Sequence, residues 1–223
     1  MSAALPLSTL DAYERWAATY PPVPHNPLMR AEQAAMLALW PSVSGKRVLD
    51  LACGTGRYTA LLTMHKAAAV TAVDFSAAML RQVPSGRRVH ADMRQLPFAS
   101  DSFEVIVSGL AIGHATNLTA WMQEAARVLT AGGTLLYSDF HPDAARVGMT
   151  RSFKDELGTR HTVPHTLHEL SAHRRAVADA GLTLEVVSEL RVGMEFREDF
   201  PDSSEFYRKW SGLPIALIVR ARK

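Results

Sequence analysis

The residues with the clearest chemical meaning lie in a glycine-containing turn, VLDLACGTGRYT, at positions 48–59. An apolar run leads through Asp50 into the turn, where Gly54 and Gly56 let the backbone approach a ligand because they carry no Cβ. The free N–H groups of the helix that follows would face that ligand. Such a turn can hold a dinucleotide or a nucleoside, but the dinucleotide fingerprint GxGxxG is incomplete because Thr59 occupies the third glycine position.

Two further acidic residues follow apolar runs in positions that suit a nucleoside. The Asp74 carboxylate can accept hydrogen bonds from both hydroxyls of a ribose. Asp92 can accept from an exocyclic amine, while Phe75 and Met93 can cover the faces of a base. With the glycine turn, these residues predict an adenosine site. The alternative is local: acids at strand ends also pair with neighbours, and Phe75 and Met93 can be core residues.

Histidines are the candidate proton acceptors. The chain contains nine, and an imidazole with a pKa of about 6.5 can take a proton from a hydroxyl or an amine at neutral pH. His114, which follows an apolar run, is the first candidate for a general base, and His25 and His141 are the second candidates. The alternative for His114 is a residue that only packs at the start of a helix.

A metal site is not expected, although three histidines lie close together in the sequence. His161, His165 and His168 have a spacing that resembles a metal-binding motif. Pro164 breaks any common helix, however, and no carboxylate-rich motif accompanies them. A general base or the polar wall of a substrate pocket fits these residues better.

The stretch 141–166 has few helix or strand signals. Long connections of this kind in compact domains are usually lids or binding loops. We therefore predict that it forms a substrate lid and that Met149, Phe153, His161 and His165 line the substrate pocket.

Composition narrows the class of protein. The 223 residues are 48 % apolar and 21 % charged, with a formal charge of +2, which is typical of an ordinary globular domain. Scattered basic residues give no nucleic-acid footprint, and no apolar run is long enough for a membrane span. The single cysteine fits a reducing compartment. We expect a cytoplasmic protein, monomeric or homodimeric, whose partner is a small-molecule acceptor, with no nucleic acid and no membrane.

Alternating strands and helices must position these residues. Seven short apolar runs are predicted as strands: 47–52, 69–74, 89–91, 103–108, 134–138, 184–187 and 213–219. Helices are predicted at 9–20, 27–39, 57–64, 77–83, 118–129 and 167–180, with caps at Ser8 or Thr9, Asn26, Ser76, Asn117 and a Thr166–Glu169 capping box, and with Gly132 and Gly181 as helix stops. This alternation requires right-handed crossovers and a mostly parallel sheet, and ligands then collect at the carboxyl ends of the strands.

Five segments in this order and spacing resemble one enzyme family: VLDLACGTGRYT, VDFSAAML, ADMRQLPF, DSFEVIVSGLAIGH and EAARVLTAGGTLLYSDFHP. From about Val48 to Asp139 the chain resembles the class I S-adenosylmethionine-dependent methyltransferases, especially the branch of the ubiquinone and menaquinone biosynthesis enzymes and small-molecule methyltransferases. The resemblance implies a Rossmann-like, α/β fold. Its seven-stranded, mostly parallel sheet has helices on both faces, and the last strand is antiparallel and inserted between the fifth and sixth.

The resemblance also implies a site for S-adenosylmethionine, made of these residues: Asp50, Ala52, Cys53, Gly54, Gly56, Asp74, Phe75, Asp92 and Met93. Asp50 and the backbone of residues 52–54 would hold the methionine end of the cofactor. Asp74 would bind the ribose, and Asp92 and Met93 the adenine.

Three residues near this site have two interpretations. The family often has glycine where Ala52 stands, and alanine is small enough to fit. Tyr20 continues a helical stripe of a kind that usually packs in a core, but an N-terminal helix that covers the cofactor is common in the family. Cys53 lies at a helix start, where a thiol pKa can fall; the alternative is a small packing residue.

We interpret the chain as one methyltransferase domain, residues 1–223. It divides into an N-terminal helical cap (1–44), a cofactor-binding core (45–140), a substrate lid (141–166) and the C-terminal part of the sheet (167–223). The expected activity is methyl transfer to O, N or C of a small molecule in a biosynthetic pathway. The alternatives are an NAD-dependent oxidoreductase, a cofactor-binding protein that does not catalyse, and an RNA or protein methyltransferase. The last is disfavoured because the sequence has neither a basic face nor a catalytic tetrad of the Asn/Asp-Pro-Pro-Tyr type after the fourth strand.

Overall fold

The computed structural model describes residues 7–196 and 203–223. Residues 1–6 of the predicted cap and residues 197–202 of the predicted C-terminal part lie outside it. The described strands are β1 Arg47–Leu51, β2 Ala69–Asp74, β3 Arg87–His90, β4 Phe103–Ser108, β5 Leu129–Phe140, β6 Ser152–Lys154, β7 Arg160–Thr162, β8 Thr183–Arg191 and β9 Pro214–Arg222.

Seven of these strands form one sheet in the order β3-β2-β1-β4-β5-β9-β8, which confirms the predicted fold. Strands β1 to β5 are mutually parallel where they pair, and β9 is antiparallel to both β5 and β8. The carboxyl ends of β1, β2, β4 and β5 therefore lie at one edge of the sheet, where a ligand site is expected.

Helices cover both faces of the sheet. They are α1 Thr9–Trp16, α2 Pro27–Ala38, α3 Arg57–Met64, α4 Ala77–Gln82, α5 Leu118–Val128, α6 Pro142–Arg146, α7 Leu170–Asp179 and α8 Ser203–Trp210, with 3₁₀ turns at Ala17–Thr19, Ile112–His114 and Met194–Phe196. Leu49 packs with α5 and α7 on one face, and Val48 packs with α2 and α3 on the other. Burial on both faces is what a parallel sheet requires.

Most predicted helix starts are confirmed by their caps. The side chains of Ser8, Asn26, Ser76 and Asn117 each accept a hydrogen bond from the backbone N–H three residues on. Each of these bonds satisfies one of the free donors at a helix start.

The predicted start of α7 is wrong. The helix begins at Leu170 rather than residue 167, and its cap Glu169 makes no capping bond. The Glu169 carboxylate instead pairs with Arg146, so the capping box does not form. Gly132 is likewise not a helix stop, because α5 ends at Val128 and Gly132 lies inside β5 with a φ of 72°.

The stretch 141–166 contains more regular structure than the sequence predicted. It holds α6 and an antiparallel hairpin of β6 and β7. Phe153 of the hairpin stacks on Trp16, with ring centroids 4.8 Å apart and planes 10° apart. Short elements of this kind carry little periodicity, and here packing against α1 stabilises them.

A buried carboxylate joins α2 to the sheet. Glu32 is fully buried, and its Oε2 accepts a bond of 2.8 Å from the Arg57 guanidinium. Its Oε1 accepts from the hydroxyls of Tyr58 (2.9 Å) and Ser138 (2.5 Å). One side chain of α2 therefore fixes α3 and β5, and the N-terminal segment is an integral part of the core.

Replacing Glu32 by Gln should lower the free energy of unfolding by about 3–5 kcal/mol, because it leaves the Arg57 charge buried without a counter-charge. Urea denaturation measures this loss. Glu104→Gln is the matched control: its pair with Arg47 is half exposed, so that change should cost no more than about 1 kcal/mol. Equal effects of the two substitutions would contradict the buried-pair interpretation.

Candidate functional site

A cavity of about 390 Å³, here called the large cavity, lies at the carboxyl edge of the sheet. A smaller cavity of about 200 Å³ adjoins it. The two share these lining residues: Ala52, Asp74, Phe75, Ala111 and His114. Most of the residues predicted to bind the cofactor line one or both of these cavities: Tyr20, Asp50, Ala52, Cys53, Gly54, Asp74, Phe75, Asp92 and Met93.

The glycine turn has a left-handed backbone at alternate residues. Ala52, Gly54 and Gly56 have φ values of 58°, 56° and 89°. A Cβ on Gly56 would lie 3.0 Å from side-chain atoms of Val83 and Pro84, so glycine is needed there for space as well as conformation. Ala52 adopts the same conformation at some cost in strain, which is the physical reason that glycine suits its position.

Asp74 is tied to this turn. It is 6 % exposed, and its carboxylate accepts bonds from the N–H groups of Gly54 (2.8 Å) and Ser76 (2.9 Å). Burial raises the pKa of Asp74 to about 6. The carboxylate lines both cavities, so it is placed to receive donors from a ligand.

Asp50 lies on β1, next to the strand that carries Asp74 and in register with Ala72, and it also lines the large cavity. It is 1 % exposed, and burial raises its pKa to about 7, although the Thr59 hydroxyl donates to it at 2.6 Å. Thr59, which breaks the dinucleotide fingerprint, therefore has a role of its own: it orients Asp50.

The two carboxylates have more accepting capacity than the protein fills. A cationic amino group and a pair of hydroxyls on a ligand would supply the missing donors. The two acceptors therefore fit the methionine and ribose parts of a nucleoside cofactor, and the roles of Asp50 and Asp74 there stay a prediction.

Cys53 is a packing residue. Its side chain lies with Ala72, Leu80 and Val83, and burial raises the pKa of its thiol well above the usual value. The alternative of a reactive thiol is wrong.

The smaller cavity holds the residues predicted for a base. Asp92, Met93 and Phe75 line it. Arg94 donates to both oxygens of Asp92 and lowers the pKa of that carboxyl. Asp92 remains half exposed, so an exocyclic amine has access to its remaining lone pairs.

His114 lines both cavities, but it is not arranged as a base. Its Nε2 lies 2.8 Å from the Tyr13 hydroxyl and 2.8 Å from Nη1 of Arg151, while Nδ1 faces the Pro164 carbonyl at 3.2 Å. Nδ1–H therefore donates, and the Nε2 lone pair accepts from Tyr13 or Arg151. Burial, with Arg151 and His165 nearby, lowers the pKa of His114 to about 2. The geometry makes His114 a neutral hydrogen-bonding group.

The second candidates for a base lie outside the cavity walls. His25 is exposed and its ring packs on the edges of Trp16 and Tyr20. His141 is 4 % exposed and caps α6, where its Nδ1 accepts from the Asp143 N–H. The structure thus contradicts both as catalytic residues.

Of the four predicted substrate residues, only Met149 lines the large cavity. Phe153 supports Trp16 from behind, and His161 pairs with Asp155 at 2.7 Å inside the hairpin. His165 packs against Gly113 and the rings of His114 and Phe140. None of these three side chains lines the large cavity, because Phe153 packs on α1, His161 pairs within the hairpin, and His165 packs on the turn after β4. These three predictions are therefore wrong.

The N-terminal helix contributes more than was predicted. Tyr20 lines the large cavity, as expected from the resemblance, and so do Tyr13 and Trp16. Glu14 fixes α1 to the start of α4, where it accepts from the Ser76 hydroxyl and the Ala78 N–H. The aromatic stripe that suggested core packing therefore forms a cover over the cavity.

Two cationic residues of the cavity wall were missed. Arg57 and Arg151 both line the large cavity. Arg57 belongs to the glycine-turn motif, so its position next to the ligand site could have been predicted. Arg151 lies in a stretch without a helix or strand pattern, and no sequence signal indicated its place.

Among residues 7–196 and 203–223 there is no cluster of three acidic, histidine or cysteine side chains that could hold a metal ion. No helix in that part of the chain is long and apolar enough to cross a membrane.

Comparison with known proteins shows what the core of the chain is similar to. Residues 49–137 match the family model described as a methyltransferase domain. A malonyl-[acyl-carrier protein] O-methyltransferase of Halorhodospira halophila is 40 % identical over 109 residues, which are 45 % of this chain and 37 % of that protein. A demethylmenaquinone methyltransferase of Clavibacter sepedonicus is 37 % identical over 105 residues, 44 % of this chain and 42 % of the relative. The chain thus spans less than half the length of these two relatives.

Solved structures extend the likeness to the whole fold. An S-adenosylmethionine-dependent methyltransferase from Mesorhizobium loti has a TM-score of 0.71 at 24 % identity, covering 86 % of this chain and 98 % of that one. The [4+2]-cyclase SpnF has a TM-score of 0.71 at 14 % identity, covering 100 % and 99 %. At this level of identity the likeness shows the fold alone, since the second structure is described by a different reaction.

Gly113→Ala should lower the free energy of unfolding by about 1–3 kcal/mol, because a Cβ there would lie 1.8 Å from Cε1 of His165 and the ring would have to move. Thermal or urea denaturation measures the loss. In a His165→Ala background the same change should cost under about 0.5 kcal/mol. A loss that persists in that background would show that His165 is not the obstacle.

Proposed function

We propose that the chain is an S-adenosylmethionine-dependent enzyme that transfers a methyl group to O, N or C of a small organic acceptor; the match of residues 49–137 to a methyltransferase domain supports this. The observation that carries this proposal is the pair of buried carboxylates, Asp50 and Asp74, on adjacent strands beside the left-handed turn. They complement the amino group and the ribose hydroxyls of the cofactor.

Each part of the site has a role in this proposal. Asp50 and the turn hold the methionine end, Asp74 the ribose, and Asp92 with Met93 the adenine. Gly54 and Gly56 keep the backbone free of side chains at the turn. Phe75, which lines both cavities, covers the base.

Little covalent chemistry is required of the protein. When bound, S-adenosylmethionine supplies a methyl group on a sulfonium sulfur, which is already an activated donor. The protein must align the acceptor with that methyl group and exclude water. Tyr13, Trp16 and Tyr20 close the large cavity on one side, and the segment before β6 closes it on another.

A small acceptor fits the cavity better than a macromolecule. The formal charge of +2 gives no footprint for RNA. The names of the relatives above give malonyl-[acyl-carrier protein] and demethylmenaquinone as their substrates. The first is a small group carried on a protein and the second a free molecule, so the part that is methylated is small in both. We propose a single cytoplasmic domain with the divisions given above, acting as a monomer or a homodimer.

The alternatives are less well supported. A dinucleotide oxidoreductase would need the third glycine, and Thr59 instead orients Asp50. A protein that binds the cofactor without transferring a methyl group has the same site, so turnover on an acceptor panel separates it from an enzyme.

Asp74→Ala should weaken the binding of S-adenosylhomocysteine by about 1.5–3 kcal/mol, or roughly ten- to a hundredfold, because a charged acceptor for the ribose is lost. Calorimetric titration measures this change. Asp74→Asn keeps the shape and should also bind weakly, and the exposed Asp179→Ala is the control that should bind as the wild type does. Failure of the wild-type protein to bind would overturn the proposal.

Affinity for S-adenosylhomocysteine should rise by roughly ten- to twentyfold between pH 6 and 7.5. The pKa of Asp50 is raised to about 7 and that of Asp74 to about 6, so the free protein holds protons on these groups at low pH that the ligand's amino group must displace. Affinity is therefore lost as the pH falls through these pKa values. Asp50→Asn should flatten the profile, and a flat wild-type profile would contradict the assigned roles.

A further inference from the structure

Arg151 enters the large cavity from the segment between α6 and β6. Its carbonyl accepts a bond of 2.9 Å from the Val163 N–H, so the backbone is held by the hairpin. Its side chain lines the cavity. The guanidinium is thus a fixed feature of the cavity wall.

In the described parts of the chain, Arg151 forms no ion pair with a carboxylate. Its Nη1 lies 3.0 Å from the Tyr13 hydroxyl and 2.8 Å from Nε2 of His114, and both groups are neutral. Across residues 7–196 and 203–223, no carboxylate lies within 4 Å of this guanidinium, whereas Arg57 in the same wall pairs with Glu32 at 2.8 Å.

Asp139 is the acidic residue that interacts electrostatically with Arg151, and the two form no ion pair. Asp139 feels the Arg151 charge, but burial raises the pKa of its carboxyl to about 7. Its Oδ1 accepts from the N–H groups of Gly113 and Phe140. In the described parts of the chain Oδ2 has no hydrogen-bond partner, and Nε2 of His173 lies 3.6 Å from it. Arg151 therefore keeps N–H donors and a positive charge for a ligand.

The strand order places Arg151 between two halves of the cavity. Asp50 and Asp74 belong to β1 and β2, which form one half. Beyond β4 the wall is apolar, and it is built from Phe140, Met149, Val192, Phe196 and Ile215. Arg151 contacts His114, which follows β4, so it lies where the cofactor half and the apolar half meet.

We propose that Arg151 binds the ionised oxygen of the methyl acceptor, and that the acceptor is an apolar molecule carrying a carboxylate. A guanidinium matches a carboxylate with two parallel N–H bonds, and the apolar wall takes the body of the molecule. An ammonium group would be repelled. This inference rests on the proposed function, since it names the acceptor class of that same site.

A carboxylate acceptor needs no general base. In methyl transfer to it, a carboxylate oxygen forms the new C–O bond while the C–S bond breaks, and that electron pair stays on sulfur. No proton is released. His114 therefore does not have to act as a base. Its Nε2 stays hydrogen-bonded and orients Arg151.

Three probes with one body and different heads test the proposal: 3-phenylpropionate, 3-phenylpropionamide and 3-phenylpropylamine. Each is titrated by calorimetry into full-length protein, with and without saturating S-adenosylhomocysteine. The variants are Arg151→Gln, Arg151→Lys and the control Arg146→Gln, whose exposed side chain pairs with Asp143 and Glu169 outside the cavity.

The wild type and the control should bind the carboxylate at least tenfold more tightly than the amide and should not bind the amine. Arg151→Gln should reduce carboxylate affinity to that of the amide and leave amide and S-adenosylhomocysteine affinities unchanged, and Arg151→Lys should retain part of the preference.

Two results would overturn the inference. One is that the wild-type protein shows no preference for the carboxylate, which includes the result that it binds none of the three probes. The other is equal loss of carboxylate and amide in Arg151→Gln, which would mean that Arg151 only holds the lid. Failure of the wild type to bind S-adenosylhomocysteine would instead count against the proposed function. The preference for the carboxylate head group, measured without S-adenosylhomocysteine, would then still test the role of Arg151.

Discussion

The structure depends on one buried charge, the carboxylate of Glu32. It joins α2 to Arg57 and Tyr58 of α3 and to Ser138 of β5, all without solvent. Because a buried ion is costly unless every lone pair is satisfied, these elements have one mutual arrangement. Arg57 also lines the large cavity, so the same constraint that holds the N-terminal segment on the core sets the shape of the site.

The core of the fold and the cofactor half could be read from the sequence, because both depend on local patterns. Apolar runs gave the strands, small polar caps gave most helix starts, and Asp50 and Asp74 followed from their places at strand ends. The acceptor half could not be read in this way. The role of Arg151 depends on Tyr13 and His114, which are distant in the sequence and contact it only in the folded protein.

The histidines show the same limit. An imidazole near a cavity was a reasonable candidate for a base, but burial and a neighbouring cation decide its protonation, and these are tertiary properties. His141 became a helix cap and His165 a ring packed on Gly113. Residue type predicted which groups could exchange protons, and their surroundings determined that His114 is a neutral hydrogen-bonding group.

The position of β9 has a consequence for the order of folding. This strand comes after all the others in the chain, yet it lies between β5 and β8 and brings Ile215 to the cavity wall. During synthesis the cofactor half can assemble first, since β1 to β5 are contiguous, while the apolar half must wait for the strand that is translated last. A nascent chain would therefore be able to bind the nucleoside before it has any acceptor site, and β5 would remain the unpaired edge of the sheet until β9 arrives.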